Sequence, residues 1–188
     1  MLDEKVLFIG DRSPWSELAA DYLRRTFTEV ETILWDYGDE KPDTLKTWRG
    51  DRIFCFKADL ILDAHTLGQA SKTAINIHPA IPTYRGIGGY DYVIHAGGPE
   101  FGATCHHIVT QIDAGPIIAV KRFPVLPGEG VASLRDRAAA HSLLLFQEIV
   151  HRMAIGVELP TSDEQWGRTL YTRTMLEEFH RSRKEATR

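Results

Sequence analysis

Lys5-Val6-Leu7-Phe8-Ile9 is a short unbroken apolar run closed by Gly10, the pattern of a strand buried on both faces within a parallel sheet. Ser13 then Pro14 marks a helix start, because serine can cap free amides and proline fits the first helical position. The helix is predicted to end near Phe27, and Thr32-Ile33-Leu34-Trp35 reads as a second strand, opening a βαβ arrangement. From Asp36 to Arg52 the chain is rich in charge, Gly and Pro, which predicts a loop or a degraded crossover. Ile53 to Phe56 forms the next strand, Leu60 to Leu62 continues it or starts a helix, and Ala74-Ile75-Asn76 is another short strand. Ala103 to Val109 alternates in strand fashion, and Pro116 to Val120 returns after a turn of Asp113, Ala114 and Gly115, which predicts a hairpin with Asp113 at its bend. Leu134, Ala138, Leu145, Ile149 and Met153 recur at helical spacing between Ser133 and Ala154, with Gly156 as a C-terminal stop. Beyond it lie Trp166-Gly167-Arg168, Leu170-Tyr171-Thr172-Arg173 and a charged helix-like run. Strands alternating with helices predict an α/β fold built on an open, mostly parallel sheet with flanking helices.

At 188 residues the chain fits one domain, 1–188, with 157–188 as a C-terminal extension. A net charge of −4 with both signs interspersed leaves no basic stripe for nucleic acid and no polybasic patch for a membrane. Cys55 and Cys105 sit in apolar strand-like runs and read as buried thiols. Asp3 and Glu4 precede the first apolar run, unlike the basic start of a signal peptide, and no apolar stretch approaches the ~20 residues that span a bilayer. A soluble cytoplasmic protein is expected.

Candidate chemistry concentrates in two segments, Asn76-Ile77-His78-Pro79 and Gly102-Ala103-Thr104-Cys105-His106-His107 running to Ile112-Asp113-Ala114-Gly115-Pro116. Acyl transfer to an amine develops charge on an oxygen, so a site needs a preorganised donor, a proton carrier and an orienting group. Asn76, His78 and Asp113 are residue types that fill those roles; singly, each also reads as a turn former or a structural polar group. Asn76 falls at a strand's carboxyl end, where open α/β sheets bind ligands. Tyr84-Arg85-Gly86-Ile87-Gly88-Gly89 is a glycine-rich loop that permits close backbone approach, with Arg85 able to pair with an anion. Gly10, Arg12 and Ser13 flank a strand-to-helix turn whose amides attract phosphate, although no GxGxxG is present for a dinucleotide. His141, on the apolar face of the long helix, is expected to be a satisfied core histidine.

The two segments resemble the 10-formyltetrahydrofolate-dependent formyltransferase family. The resemblance implies a Rossmann-like fold, with Asn76, His78 and Asp113 catalytic and direct attack of an amine on the formyl carbon without a covalent intermediate. Neighbours on a strand face opposite ways, so one of His106 and His107 at most points toward Asp113. By position His107 is similar to a histidine that supports the catalytic residues in the family, with Thr104 beside it. The same carry-over lines a pterin pocket with the segment Phe56 to Ile61, Phe56, Leu60 and Ile61 foremost, and with the backbone near Val109 to Ile112, including Gln111; Tyr84, Arg85 and Gly86, with Gly10, Arg12 and Ser13, are left for the amine substrate.

The resemblance is strongest to short members that formylate amino sugars, through Gly50-Asp51, Tyr84 to Gly88, and the Leu170 to Arg173 tail. It implies a nucleotide-linked amino sugar as acceptor, 10-formyltetrahydrofolate as cosubstrate, no metal, and a homodimer as an open possibility. The stretch between Trp35 and Ile53 is too short for the family's usual strand-helix unit, so the N-terminal half is shortened relative to the family. Glycinamide ribonucleotide formylation and formyltetrahydrofolate deformylation are the alternatives within the family, the latter disfavoured because that branch carries a preceding regulatory domain. Methionyl-tRNA formylation is disfavoured because that branch adds a C-terminal nucleic-acid-binding domain. A non-catalytic folate- or nucleotide-binding module is the alternative of another class. A metal-dependent hydrolase using His78, His107 and Asp113 is weaker, since Asn76 is a poor ligand and no HExxH spacing occurs. Trp166 to Arg173 reads as either a dimer contact or an acceptor clamp.

Overall fold

The computed structural model describes residues 1–186. Strands β1 (Leu2–Gly10), β2 (Phe27–Leu34), β3 (Gly50–Phe56), β4 (Ala70–His78), β6 (Glu100–His107) and β7 (Ile117–Pro124) form one sheet in the order β2-β1-β3-β4-β6-β7. The first four are mutually parallel, and β6 and β7 are added antiparallel, so the open α/β architecture is as the alternation of elements implies. Helices α1 (Pro14–Thr26) and α5 (Val131–Ala154) cover one face. There Phe8, Phe54 and Phe56 surround Phe146 of α5, two of them edge-on at 5.6 Å between ring centres. On the other face Leu7, Ile9, Ile53 and Cys55 pack beneath Trp35, Leu45, Trp48 and Leu62. Both cysteines are buried and unbridged; burial pushes the Cys55 thiol up to about 12 and raises that of Cys105 too.

Several local expectations change. Ser13 does not cap α1; its hydroxyl donates to Asp11 at 2.5 Å instead. β2 begins at Phe27, immediately after α1, because Thr28, Val30 and Thr32 favour extended chain well before Ile33. The predicted loop from Asp36 holds a short helix α2 (Thr44–Thr47), and Leu60 to Leu62 is irregular, followed by α3 (Ala64–Leu67), which Asp63 caps through the Thr66 amide. The glycine-rich loop leads into an unforeseen helix, α4 (Gly89–Ala96), which Gly88 opens at φ 86°. Short strands β5 (Arg85–Gly86) and β8 (Leu170–Tyr171) pair in parallel, and α6 (Arg173–Ala186) then packs Phe179 on Tyr92 and His95 of α4. The end of the expected 157–188 extension, residues 187 and 188, lies outside the described residues. His141 stacks on Phe123 at 4.2 Å, yet its buried Nδ1 has no hydrogen-bond partner among the described residues, so it is not the satisfied histidine expected.

Candidate active site

β4 and β6 determine which side chains can meet. Ile75 and Ile77 face the α5 side together with Ala103 and Cys105, so the alternate residues of both strands face the opposite side. Register places Asn76 opposite His106 and His78 opposite Thr104. Asn76 Nδ2 lies 3.1 Å from His106 Nε2, and the Asp113 carboxylate bridges both histidines, with Oδ2 3.3 Å from His78 Nδ1 and Oδ1 3.4 Å from His106 Nε2. His78, His106 and Asp113 are all buried.

His107 is therefore not the histidine beside Asp113. It stands opposite Ile75, projects to the other face, and has its Nδ1 3.4 Å from Thr73 Oγ1. Burial, then the neighbouring His106, lowers its pKa. Thr104 shares the site's face but donates to the Ala80 carbonyl at 2.7 Å, which ties down the chain after His78-Pro79 without touching Asp113.

Asp113 reaches the histidines through a strained turn, its own φ being 42°, in the left-handed region. Arg85 braces that turn, donating Nε to the Asp113 carbonyl at 2.7 Å and Nη2 to the Ile112 carbonyl at 2.8 Å, while the Gly86 amide donates to Asp113 Oδ2 at 2.8 Å. A Cβ on Gly86 would lie 2.2 Å from the Tyr171 carbonyl, so glycine is what lets β8 approach β5. Desolvation alone would raise the Asp113 pKa; the charge of His78, the bond and charge of His106 and the Gly86 amide outweigh it and hold the carboxyl far below its usual range. Gly115 closes the turn against the strand, and a Cβ there would meet the His107 carbonyl at 1.8 Å. Gly115→Ala is expected to lower stability by about 1–3 kcal/mol through forced backbone movement, read as a reduced denaturant midpoint with unchanged m.

The bonds also place protons. The Tyr84 carbonyl, 2.7 Å from His78 Nε2, can only accept, so that nitrogen carries hydrogen; the His107 carbonyl does the same for His106 Nδ1 at 2.9 Å. Asn76 Oδ1 is buried and has no hydrogen-bond partner among the described residues.

A cavity of about 700 Å³ opens at the carboxyl ends of β1, β3 and β4, and Asn76, His78, His106 and Asp113 all line it. Of the residues expected at a pterin, Leu60, Ile61, Val109, Gln111 and Ile112 line the cavity, and Ile61, Val109 and Ile112 are left with 36–53% of their surface exposed. Phe56 does not: it faces α5 in the core, and its neighbour Cys55 borders the cavity by strand parity.

Of the residues expected at the substrate, Gly86 lines the cavity, but Tyr84 and Arg85 do not. The Tyr84 ring packs on Phe101 and Tyr171, and the Arg85 guanidinium is spent on carbonyls of the Asp113 turn. Gly10, Arg12 and Ser13 lie off the cavity as well. Asp11 occupies that turn, accepting from the Ser13 and Ser16 hydroxyls and pairing with Lys57 at 3.0 Å, and Arg12 is paired with Asp36 and Asp39. A carboxylate at this helix start disfavours phosphate there. Sequence reasoning missed Arg135 as a cavity residue; Asp11 and Lys57 fall within the turn and the segment expected to bind ligands, and Arg173 ends the tail expected as a dimer contact or an acceptor clamp. Lys57 carries φ 54°, and no local composition signals that strain. Among the described residues no group of three or more His, Cys, Asp or Glu is arranged to hold a metal ion, and no helix is long and apolar enough to cross a membrane.

Comparison with known proteins shows which family this geometry belongs to. The family profile described as Formyl transferase matches residues 36–149, more than half of the chain. The chain belongs to the formyl transferase family. The methionyl-tRNA formyltransferase of Janthinobacterium sp. (strain Marseille) is 29% identical over 120 residues, which are 63% of this chain and 38% of that protein. The corresponding protein of Treponema pallidum subsp. pallidum is 31% identical over 120 residues, 63% of this chain and 36% of that one. The chain thus spans little more than a third of the length of these curated relatives.

Formyl transferase folds among solved structures superpose more fully. The N-formyltransferase of Helicobacter canadensis, complexed with folinic acid and dTDP-3-aminofucose, aligns with TM-score 0.74 at 18% identity over 91% of this chain and 71% of that one. The formyltransferase PseJ of Anoxybacillus kamchatkensis, complexed with UDP-4,6-dideoxy-4-formamido-L-AltNAc and tetrahydrofolate, aligns with TM-score 0.71 at 20% identity over 94% and 90%. The region matched by the formyl transferase profile contains Asn76, His78, His106 and Asp113 but stops short of the Trp166 segment.

Proposed function

We propose that the protein transfers a formyl group from 10-formyltetrahydrofolate to a primary amine, with a nucleotide-linked amino sugar as acceptor. The observation that carries this reading is the convergence of Asn76, His78, His106 and Asp113 on one cavity wall, beside a rim of exposed Ile61, Val109 and Ile112 suited to a flat heteroaromatic ring. The folate supplies the activated formyl carbon, and the protein's groups handle charge and protons around it.

Asn76 is the donor for the formyl oxygen. Rotating its amide by half a turn lets Oδ1 accept from His106 Nε2 once that nitrogen is protonated, and aims Nδ2 where the unpaired atom now stands. Asp113 faces His78 Nδ1 and His106 Nε2 and takes part in moving the amine's proton, through water, to the departing folate nitrogen as the carbon–nitrogen bond to that nitrogen breaks. Metal ligation plays no part in this reading.

The structural relatives were solved with nucleotide-linked sugars bound, which supports the acceptor class. Glycinamide ribonucleotide, whose phosphate the family resemblance would put near Gly10 to Ser13, is a poorer candidate, because the Asp11 carboxylate fills that turn. The test is tetrahydrofolate release by purified protein with a panel of nucleotide-linked amino sugars and glycinamide ribonucleotide. Amine-dependent release, with one formamide formed per tetrahydrofolate, is expected from a nucleotide-linked amino sugar. Release without amine would identify a deformylase, and folate binding with no turnover would identify a binding module; either result overturns the proposal.

A further inference from the structure

Residues beyond the long helix lace themselves to the Asp113 turn. Ser162 N–H donates to the Ile117 carbonyl at 3.1 Å, the Trp166 indole Nε1–H to the Gly115 carbonyl at 2.7 Å, and Gly167 N–H to the Pro82 carbonyl at 2.9 Å. Arg85 returns the contact through Nη1 to the Gly167 carbonyl at 3.5 Å, and β8 then pairs with β5. This run places the Trp166 ring against both site histidines, edge-on to His106 at 4.9 Å and 87° and to His78 at 5.9 Å and 65°. The side chains it adjoins are nearly dry, with 7% of His78, 3% of His106 and 9% of Asp113 exposed.

We infer that Trp166 is a positioning residue: its indole roofs the His78–Asp113–His106 cluster, fixing both imidazole planes and keeping bulk water from the carboxylate. The inference rests, for its catalytic consequence, on the formyl-transfer reading. The physical argument has two parts. Attraction between Asp113 and the histidines weakens as water raises the local dielectric, so a roof preserves it. Edge contacts on two rings at once, with the indole itself pinned to Gly115 on the Asp113 turn, also restrict imidazole rotation, and a displacement of about 1 Å in such a site can slow a reaction ~100-fold. Trp166 needs no contact with substrate to do this.

The test uses isotope-labelled histidine in the full chain, comparing wild type with Trp166→Ala and Trp166→Phe. The hydrogens on His78 Nε2 and His106 Nδ1, which donate to the Tyr84 and His107 carbonyls, are read by NMR for exchange with solvent. Exchange is expected to be slow in wild type, at least about 10-fold faster in Trp166→Ala, and restored most of the way in Trp166→Phe, since opening to water governs exchange. In turnover, Trp166→Ala is expected to lower kcat about 10- to 100-fold with KM for the folate changed less than about 3-fold, the split that marks misplacement in the transition state rather than lost binding. Unchanged exchange in Trp166→Ala overturns the inference. Where that variant does not fold, Trp166→Gln, bulky but ringless, gives the same reading. A wild type inactive with every amine sinks the functional proposal alone, because the exchange measurement needs no activity.

Discussion

Asp113→Asn is expected to lower formyl transfer by about 100- to 10,000-fold, the range associated with losing a positioned proton-transfer group. The amide keeps the shape of the side chain, so the Gly86 N–H and the Arg85 brace on the Asp113 carbonyl have their partners, and the variant is expected to fold. What disappears is the negative charge that faces His78 Nδ1 and His106 Nε2. The measurement is single-turnover formation of the formamide at saturating folate; a rate within a few-fold of wild type would remove Asp113 from the chemistry. The same pair of proteins tests the electrostatics. A carboxyl held lower in the fold than in the unfolded chain stabilises the protein above its ordinary pKa, near 4, and that contribution fades as pH falls toward the folded value. The stability advantage of wild type over Asp113→Asn is therefore expected to be present at pH values above about 5 and to shrink progressively below about 4, measured as the difference in Tm.

Asn76→Ala and His78→Ala are each expected to cut turnover by about 100- to 1,000-fold, the usual loss on removing one donor to a developing oxyanion or its proton partner. Folate affinity should stay within a few-fold, because both groups act mainly in the transition state. The two differ in their structural consequences. Asn76 leaves only its contact to His106 Nε2, whereas His78 leaves both the Tyr84 carbonyl and the Asp113 carboxylate without a partner at that position. His78→Ala should therefore lose more stability than Asn76→Ala in a denaturant titration. His106→Ala separates the roles: if the histidine orients the Asn76 amide, it and Asn76→Ala together should slow the reaction little more than the worse of the two alone.

Much of this was legible locally. The unbroken apolar run before Gly10, the Ser-Pro helix start, the helical spacing from Leu134 to Met153 and the turn at Asp113 all lie where short-range chemistry puts them. Alternation along β6 also determines which side chains share the site's face. Phe101, Ala103 and Cys105 share one parity and the core, so Thr104 and His106 must share the other; expecting Thr104 and His107 together was inconsistent with a pleated strand. The same rule separates Phe56, in the core, from Cys55, at the cavity.

Other features had no local signal. Arg85 spends its guanidinium on carbonyls of a turn nearly thirty positions away, and Asp11 fills a turn that composition reads as open to anions. Trp166 covers histidines that precede it by 60 residues or more. The sequence by itself determined the elements, the apolar faces and the residue types able to handle an acyl group, because propensity and period act over a few residues. Tertiary structure decided which histidine meets the carboxylate, which cations are spent on the protein's own carbonyls and carboxylates and which ring packs on the site histidines, because register between strands and the capture of distant carbonyls are settled only when the whole chain has packed.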